Sequence, residues 1–152
     1  MSIDGTRSKR AGPSPEFLED PSLGVAELVG LVHAKPSLLR SARNTQRLLR
    51  HPAAGAGLVR EIAADLPWKN LALASRDMRI APALRAELAR ALVARLDSLG
   101  LGERIALARM APREVLRALL REESADRVRE AARRNPFYRL SDEGHTGPTH
   151  GA

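Results

Sequence analysis

Arg40, Arg43, Arg47 and Arg50 recur at i, i+3, i+7 and i+10, and Arg113, Arg117 and Arg121 recur at i, i+4 and i+8. Spacings of three and four place side chains on one face of a helix, so each set predicts a stripe of guanidinium groups. A guanidinium stays protonated and donates five N–H groups, so its chemistry is the recognition of carboxylates and phosphates rather than proton transfer. Two such stripes facing the same way would make a groove able to follow a phosphate backbone. The same pattern is also what the solvated face of an amphipathic helix looks like, and Glu114 and Glu130 dilute the positive field. Arg40, Arg43, Arg47, Arg113, Arg117 and Arg121 are the candidate partner-binding residues.

The remaining chemistry-bearing residues are sparse. His145 and His150 lie near Asp142 and Glu143, a donor set that zinc accepts, but in a Gly-rich setting that holds no geometry. His33 and His51 each fall at a predicted helix end, just before or close to a Pro, where an imidazolium would favour the helix dipole. Asp77 and the pair Glu122-Glu123 sit beside Arg or at turns and read as solvated turn charge. There is no glycine-rich phosphate loop with a following Lys, no G-x-S-x-G and no H-E-x-x-H. With no Cys at all, disulfides, thiolate metal sites and Cys nucleophiles are excluded together. No catalytic residue, metal ligand or cofactor is assigned, and the expectation is a protein without enzymatic activity.

The elements that would position these residues are helical. The 152 residues are a one-domain length, and aromatic residues make up only 3% of them, so the core must be built from Leu, Val, Ile and Ala. The formal net charge of +7 invites an anionic partner. Of the 25 basic residues only Lys9, Lys35 and Lys69 are lysines; a GC-rich genome would produce such an Arg, Ala, Gly and Pro bias without selection for any partner. No run approaches the ~18 apolar residues of a membrane span, and the N-terminus has no apolar stretch behind its basic residues. A soluble, cytoplasmic protein is expected, with no membrane association.

Residues 1–20 and 141–152 mix Gly, Ser, Pro and charge without a period and are expected to be a disordered lead-in and tail around one helical domain, 21–140. Within that domain, Pro and Gly cut the chain at short intervals. Ser22 is placed to cap a helix ending before Pro36; Ser37 to cap one running to His51-Pro52; Pro82 to open a helix with Leu84, Leu88, Leu92 and Leu96 at i, i+4 spacing; Pro112 to restart after Gly100 and Gly102; and Ser124 to cap a last helix ending at Asn135-Pro136. Helices of about ten residues are too short to be stable alone in water, so neighbours must hold each one.

The chain also repeats itself. Leu71-Ala72-Leu73-Ala74 matches Ile105-Ala106-Leu107-Ala108, and Ala81-Pro82 matches Ala111-Pro112. A period in the thirties with paired helices is the mark of an α-solenoid. The cadence of EESADRVREAARRNP resembles the HEAT-like and leucine-rich-repeat-variant units of bacterial proteins, over roughly residues 56–136. That resemblance implies an all-α fold of short paired helices stacked as a small solenoid, acting as a protein-protein interaction scaffold. A plain helical bundle is the alternative architecture, although only residues 82–97 approach the long stripe a bundle favours. HEAT-like folds include alkyl-base DNA glycosylases with paired cleft aromatics, but Trp68 has no second aromatic near it in the repeat region and reads as core. Nucleic-acid binding through the Arg stripes is the alternative function, and self-association through a terminal repeat stays open.

Overall fold

The computed structural model of the protein describes residues 15–138; residues 1–14 of the expected lead-in, and the tail with His145 and His150, lie outside the described residues. Eight α-helices occur among the described residues, with no strand: α1 Val25–Ala34, α2 Ala42–Leu49, α3 Ala56–Ile62, α4 Trp68–Ser75, α5 Pro82–Val93, α6 Leu101–Met110, α7 Arg113–Glu122 and α8 Asp126–Arg133. The all-α class is therefore as the composition predicts. The packed region begins earlier than residue 21, because Pro15–Glu19 forms a 3-10 turn and buries Leu18 at 1% exposure.

Helices pack next-but-one along the chain. Helix α2 lies against α4, α4 against α6 and α6 against α8, while α3 lies against α5 and α5 against α7. The two rows meet through the α4–α5 contact. One aliphatic core runs through both rows, with Leu48, Leu71, Leu88, Leu92, Leu107 and Leu116 all at 1% exposure or less. Each such leucine contributes on the order of 2 kcal/mol by leaving water, which offsets the poor intrinsic stability of helices this short. Trp68 is half-buried and packs against this core.

Several helix starts differ from the sequence expectation, each for a local reason. The stretch from Ser37 is not one helix: Pro36–Arg40 is a 3-10 turn, and α2 starts afresh with Ser41 as its cap, the Ser41 hydroxyl accepting from the Asn44 amide at 3.2 Å. A continuous helix would need the carbonyls of Leu39 and Arg40 for its own amides. Instead the Asn70 side-chain amide, reaching from α4, donates to both, at 2.7 and 3.2 Å. Ser22 does not cap α1, since its hydroxyl donates to the Asp20 carboxylate at 2.7 Å; Gly24 holds the cap position and Glu27 reaches back to its amide at 2.9 Å. The Glu103 carboxylate does the same for Gly100 at the start of α6, at 2.9 Å. Helix α5 stops at Val93 rather than running on to 97, because the Arg95 guanidinium folds back onto the carbonyls of Ala63 and Leu66 and Leu96 passes into a 3-10 turn.

Candidate interaction surface

The arginine residues divide into those the fold consumes and those it leaves on the surface. Arg47 donates to Glu19 at 3.1 Å and to the Asn44 side chain at 3.3 Å, and is only 16% exposed. Arg50 binds Asp77, its Nε 2.8 Å from Oδ2. Arg129 donates to the carbonyls of Glu123 and Leu120, and Arg104 to that of Leu99, so their guanidiniums close helix ends that would otherwise present unpaired carbonyls. Arg40 and Arg43 remain exposed at the start of α2, and Arg113, Arg117 and Arg121 are exposed along α7. These two groups stand on different helix rows, α2 in one and α7 in the other, with the α4–α5 contact joining the rows. Arg40 also belongs to the 3-10 turn rather than to the helix carrying Arg43 and Arg47. The first stripe is thus interrupted at Ser41, and half of it, Arg47 and Arg50, is paired with the protein's own carboxylates, Glu19 and Asp77.

Two carboxylates expected at solvated turns are buried. The Asp77 side chain is 6% exposed, and besides Arg50 it accepts from the Arg79 amide at 2.9 Å. Burial pushes its carboxyl up, but the Arg79 amide and the Arg50 guanidinium outweigh that and hold it below the usual aspartate value. The Glu123 side chain is 5% exposed, pairs with Arg104 Nε at 2.9 Å and accepts from the Ala125 amide at 3.1 Å, so Glu123 rather than Ser124 prepares the start of α8. Glu123 lines a shallow cleft with Asp97, Arg104 and Glu122, but both carboxylates are paired with guanidiniums and hold helices together rather than standing as free bases.

A recurrent polar turn accounts for other residues that sequence reasoning misassigned. Asp20, His51, Asp77 and Asn135 each accept, through a side-chain atom, a hydrogen bond from the amide two residues on. The last three directly follow Arg50, Arg76 and Arg134, the C-cap residues of α2, α4 and α8. His51 accepts at Nδ1 from Ala53 and its Nε2 lies 2.6 Å from the Asp20 carbonyl, which assigns a neutral ring protonated on Nε2. The imidazolium expected there is not what these partners fit. The signal was present as Arg-His, Arg-Asp and Arg-Asn at the ends of short helices, but it is too short to stand out without the helix boundaries.

Two further concave regions are exposed beside these elements. The first, lined by Val32, His33, Ser37, Arg40, Glu61 and Asp65 among others, brings a histidine, a serine and two carboxylates to one cleft. His33 Nε2 lies 3.5 Å from Glu61 Oε1, with side chains 64% and 53% exposed. These groups stand open to water, with no hydrogen bond from Ser37 to His33 among the described residues. No cluster of three or more His, Asp or Glu able to hold a metal ion occurs among the described residues either. The second region is a groove of about 390 Å³ between the end of α4, the first turns of α5 and α7, and the segment after α8. It is lined by Met78, Pro82, Ala86, Ala89, Pro112 and Phe137 together with Ser75, Arg76, Arg85, Arg113 and Glu114. Met78 is 78% exposed, a large apolar side chain left in water. Sequence reasoning passed over it because a single Met in a turn carries no pattern.

No family model, curated protein or solved structure matches this chain.

Proposed function

We propose that the protein is a non-catalytic helical repeat module that works as a protein-protein interaction scaffold, its paired helices stacking as a small HEAT-like solenoid. The next-but-one packing of α2, α4, α6 and α8, and of α3, α5 and α7, is what stacked helix pairs produce. The observation that supports the functional reading is the groove lined by Met78. It offers prolines, alanines and an aromatic ring to a partner together with arginine side chains, a composition that suits a protein interface, where aromatic, Met and Arg side chains are enriched. The nucleic-acid reading through Arg40, Arg43, Arg47, Arg113, Arg117 and Arg121 draws less support, because the two stripes fall on different rows and Arg47 is paired internally.

The test is affinity capture with the tagged full chain after exhaustive nuclease treatment. A protein retained at stoichiometric levels after nuclease supports the scaffold reading. Material that is lost on nuclease treatment, with no protein retained, contradicts it.

A further inference from the structure

The groove lined by Met78 has an electrostatic character that specifies its occupant more closely than "a protein". This inference rests on the interaction reading above and deepens it. Three guanidiniums edge the groove against one carboxylate, Glu114. Two of the three are held in place by the protein's own carbonyls: Arg76 donates to the Met110 carbonyl at 3.1 Å, and Arg85 Nε donates to the Ile80 carbonyl at 3.0 Å. Each bond uses one of five donors, so the other N–H groups remain on a side chain that has already given up part of its freedom. Ordering such a residue on binding therefore costs less than ordering a free surface arginine. Arg85 also touches the Met78 sulfur, its terminal nitrogen 3.2 Å away, which ties the cationic edge directly to the apolar floor. Arg79, 74% exposed in its side chain, adds a further positive charge one residue beyond Met78.

The floor and the edge thus ask for different things. An apolar anchor is needed to cover Met78, Pro82 and Pro112, and carboxylates are needed beside it to meet Arg76 and Arg85 with charge-assisted hydrogen bonds. A phosphate backbone would supply the anions but would leave the apolar floor in water. We infer that the groove between the α4–α5 turn and the start of α7 binds an acidic peptide segment of a partner protein, with an aliphatic anchor seated on Met78 and carboxylates on Arg76 and Arg85.

The experiment uses a short fluorescein-labelled peptide in which two leucines are flanked by glutamates, titrated with the full chain and read by fluorescence anisotropy at about 0.15 M salt. Two control peptides replace the glutamates by lysines or the leucines by serines. The expected result is saturable binding of the acidic leucine peptide, at least about tenfold weaker binding of both controls, and a similar loss in Met78→Ser and in Arg85→Glu. Met78→Ser removes an exposed side chain and leaves the circular dichroism and melting temperature unchanged, so it tests the site even if Arg85→Glu disturbs the fold. Equal binding of acidic and lysine peptides, insensitivity to Met78→Ser, or no binding of the acidic peptide would each overturn the assignment. Light scattering on the protein alone decides the other occupant: a dimer that Met78→Ser dissociates would make the groove a self-association face and overturn the proposal. Failure here with a protein still captured after nuclease treatment would sink the acidic occupant alone; failure of the capture would sink the scaffold reading itself.

Discussion

Asp77 meets three groups through one carboxylate: the Arg50 guanidinium from the end of α2, and the amide and the Nε, at 3.7 Å, of Arg79 in its own turn. Because its pKa is lower in the folded protein than in the unfolded chain, it contributes stability at pH values above the unfolded value near 3.8. That stability is lost as pH falls through the folded value. Asp77→Asn should therefore lower the melting temperature at neutral pH, and the difference from the wild-type chain should shrink on acidification below about pH 4, as read by thermal melts across a pH series. At neutral pH the loss should be about 1–3 kcal/mol, since the asparagine keeps one acceptor oxygen for the two donors that Asp77 serves, the Arg79 amide and the Arg50 guanidinium, and Arg50 loses its counter-charge. Asn135 offers a parallel case without titration. Its side-chain amide donates to the Ala108 and Ala111 carbonyls at 3.0 and 2.9 Å, and its oxygen accepts from the Phe137 amide at 2.8 Å. Asn135→Ala would leave buried carbonyls unpaired and should destabilise by about 1–3 kcal/mol in denaturant unfolding. For His51, nitrogen chemical shifts should report the ring protonated on Nε2, and a ring protonated on both nitrogens at neutral pH would contradict the assignment.

At the scale of elements, the short helices are held by caps and by carbonyl-binding side chains from other helices. Ser41→Ala should cost about 1 kcal/mol by removing the cap of α2, and hydrogen exchange should show the loss concentrated at the first turn of that helix. Leu88→Ala in α5, a fully buried position, should cost about 2–5 kcal/mol and lower the cooperative melt of the whole domain. The helices themselves were legible because Pro and Gly cut them and leucines mark their inner faces: Pro82 opens α5, and Leu84, Leu88 and Leu92 are its buried stripe. What was not legible was long-range. Asn70 interrupts the helix expected from Ser37, and Arg95 folds back beyond the end of α5, each by taking carbonyls about thirty residues away. The burial of Asp77 and Glu123 was hidden for the same reason, since Arg50 and Arg104 reach them only after the rows assemble.

For the whole molecule, the +7 charge is less available to partners than the sequence implies. Arg50, Arg95 and Arg104 are part-buried on carboxylates or helix-end carbonyls, and the exposed candidates at Arg43 and along α7 sit on separate rows. The stripes were legible in the sequence as spacing, but their separation depends on which row each helix joins, and spacing carries no such information. Binding of labelled single-stranded and duplex oligonucleotides should accordingly be weaker than micromolar at about 0.15 M salt, and Arg117→Ala with Arg121→Ala should change it little. Among the described residues no helix is long and apolar enough to cross a membrane. The most direct test of the account is the nuclease-treated capture repeated with two surface variants, Met78→Glu and the double change Arg117→Glu with Arg121→Glu. The captured protein should be lost with Met78→Glu and kept with the double arginine variant. Loss with the arginine variant and retention with Met78→Glu would place the working surface on α7 and contradict it.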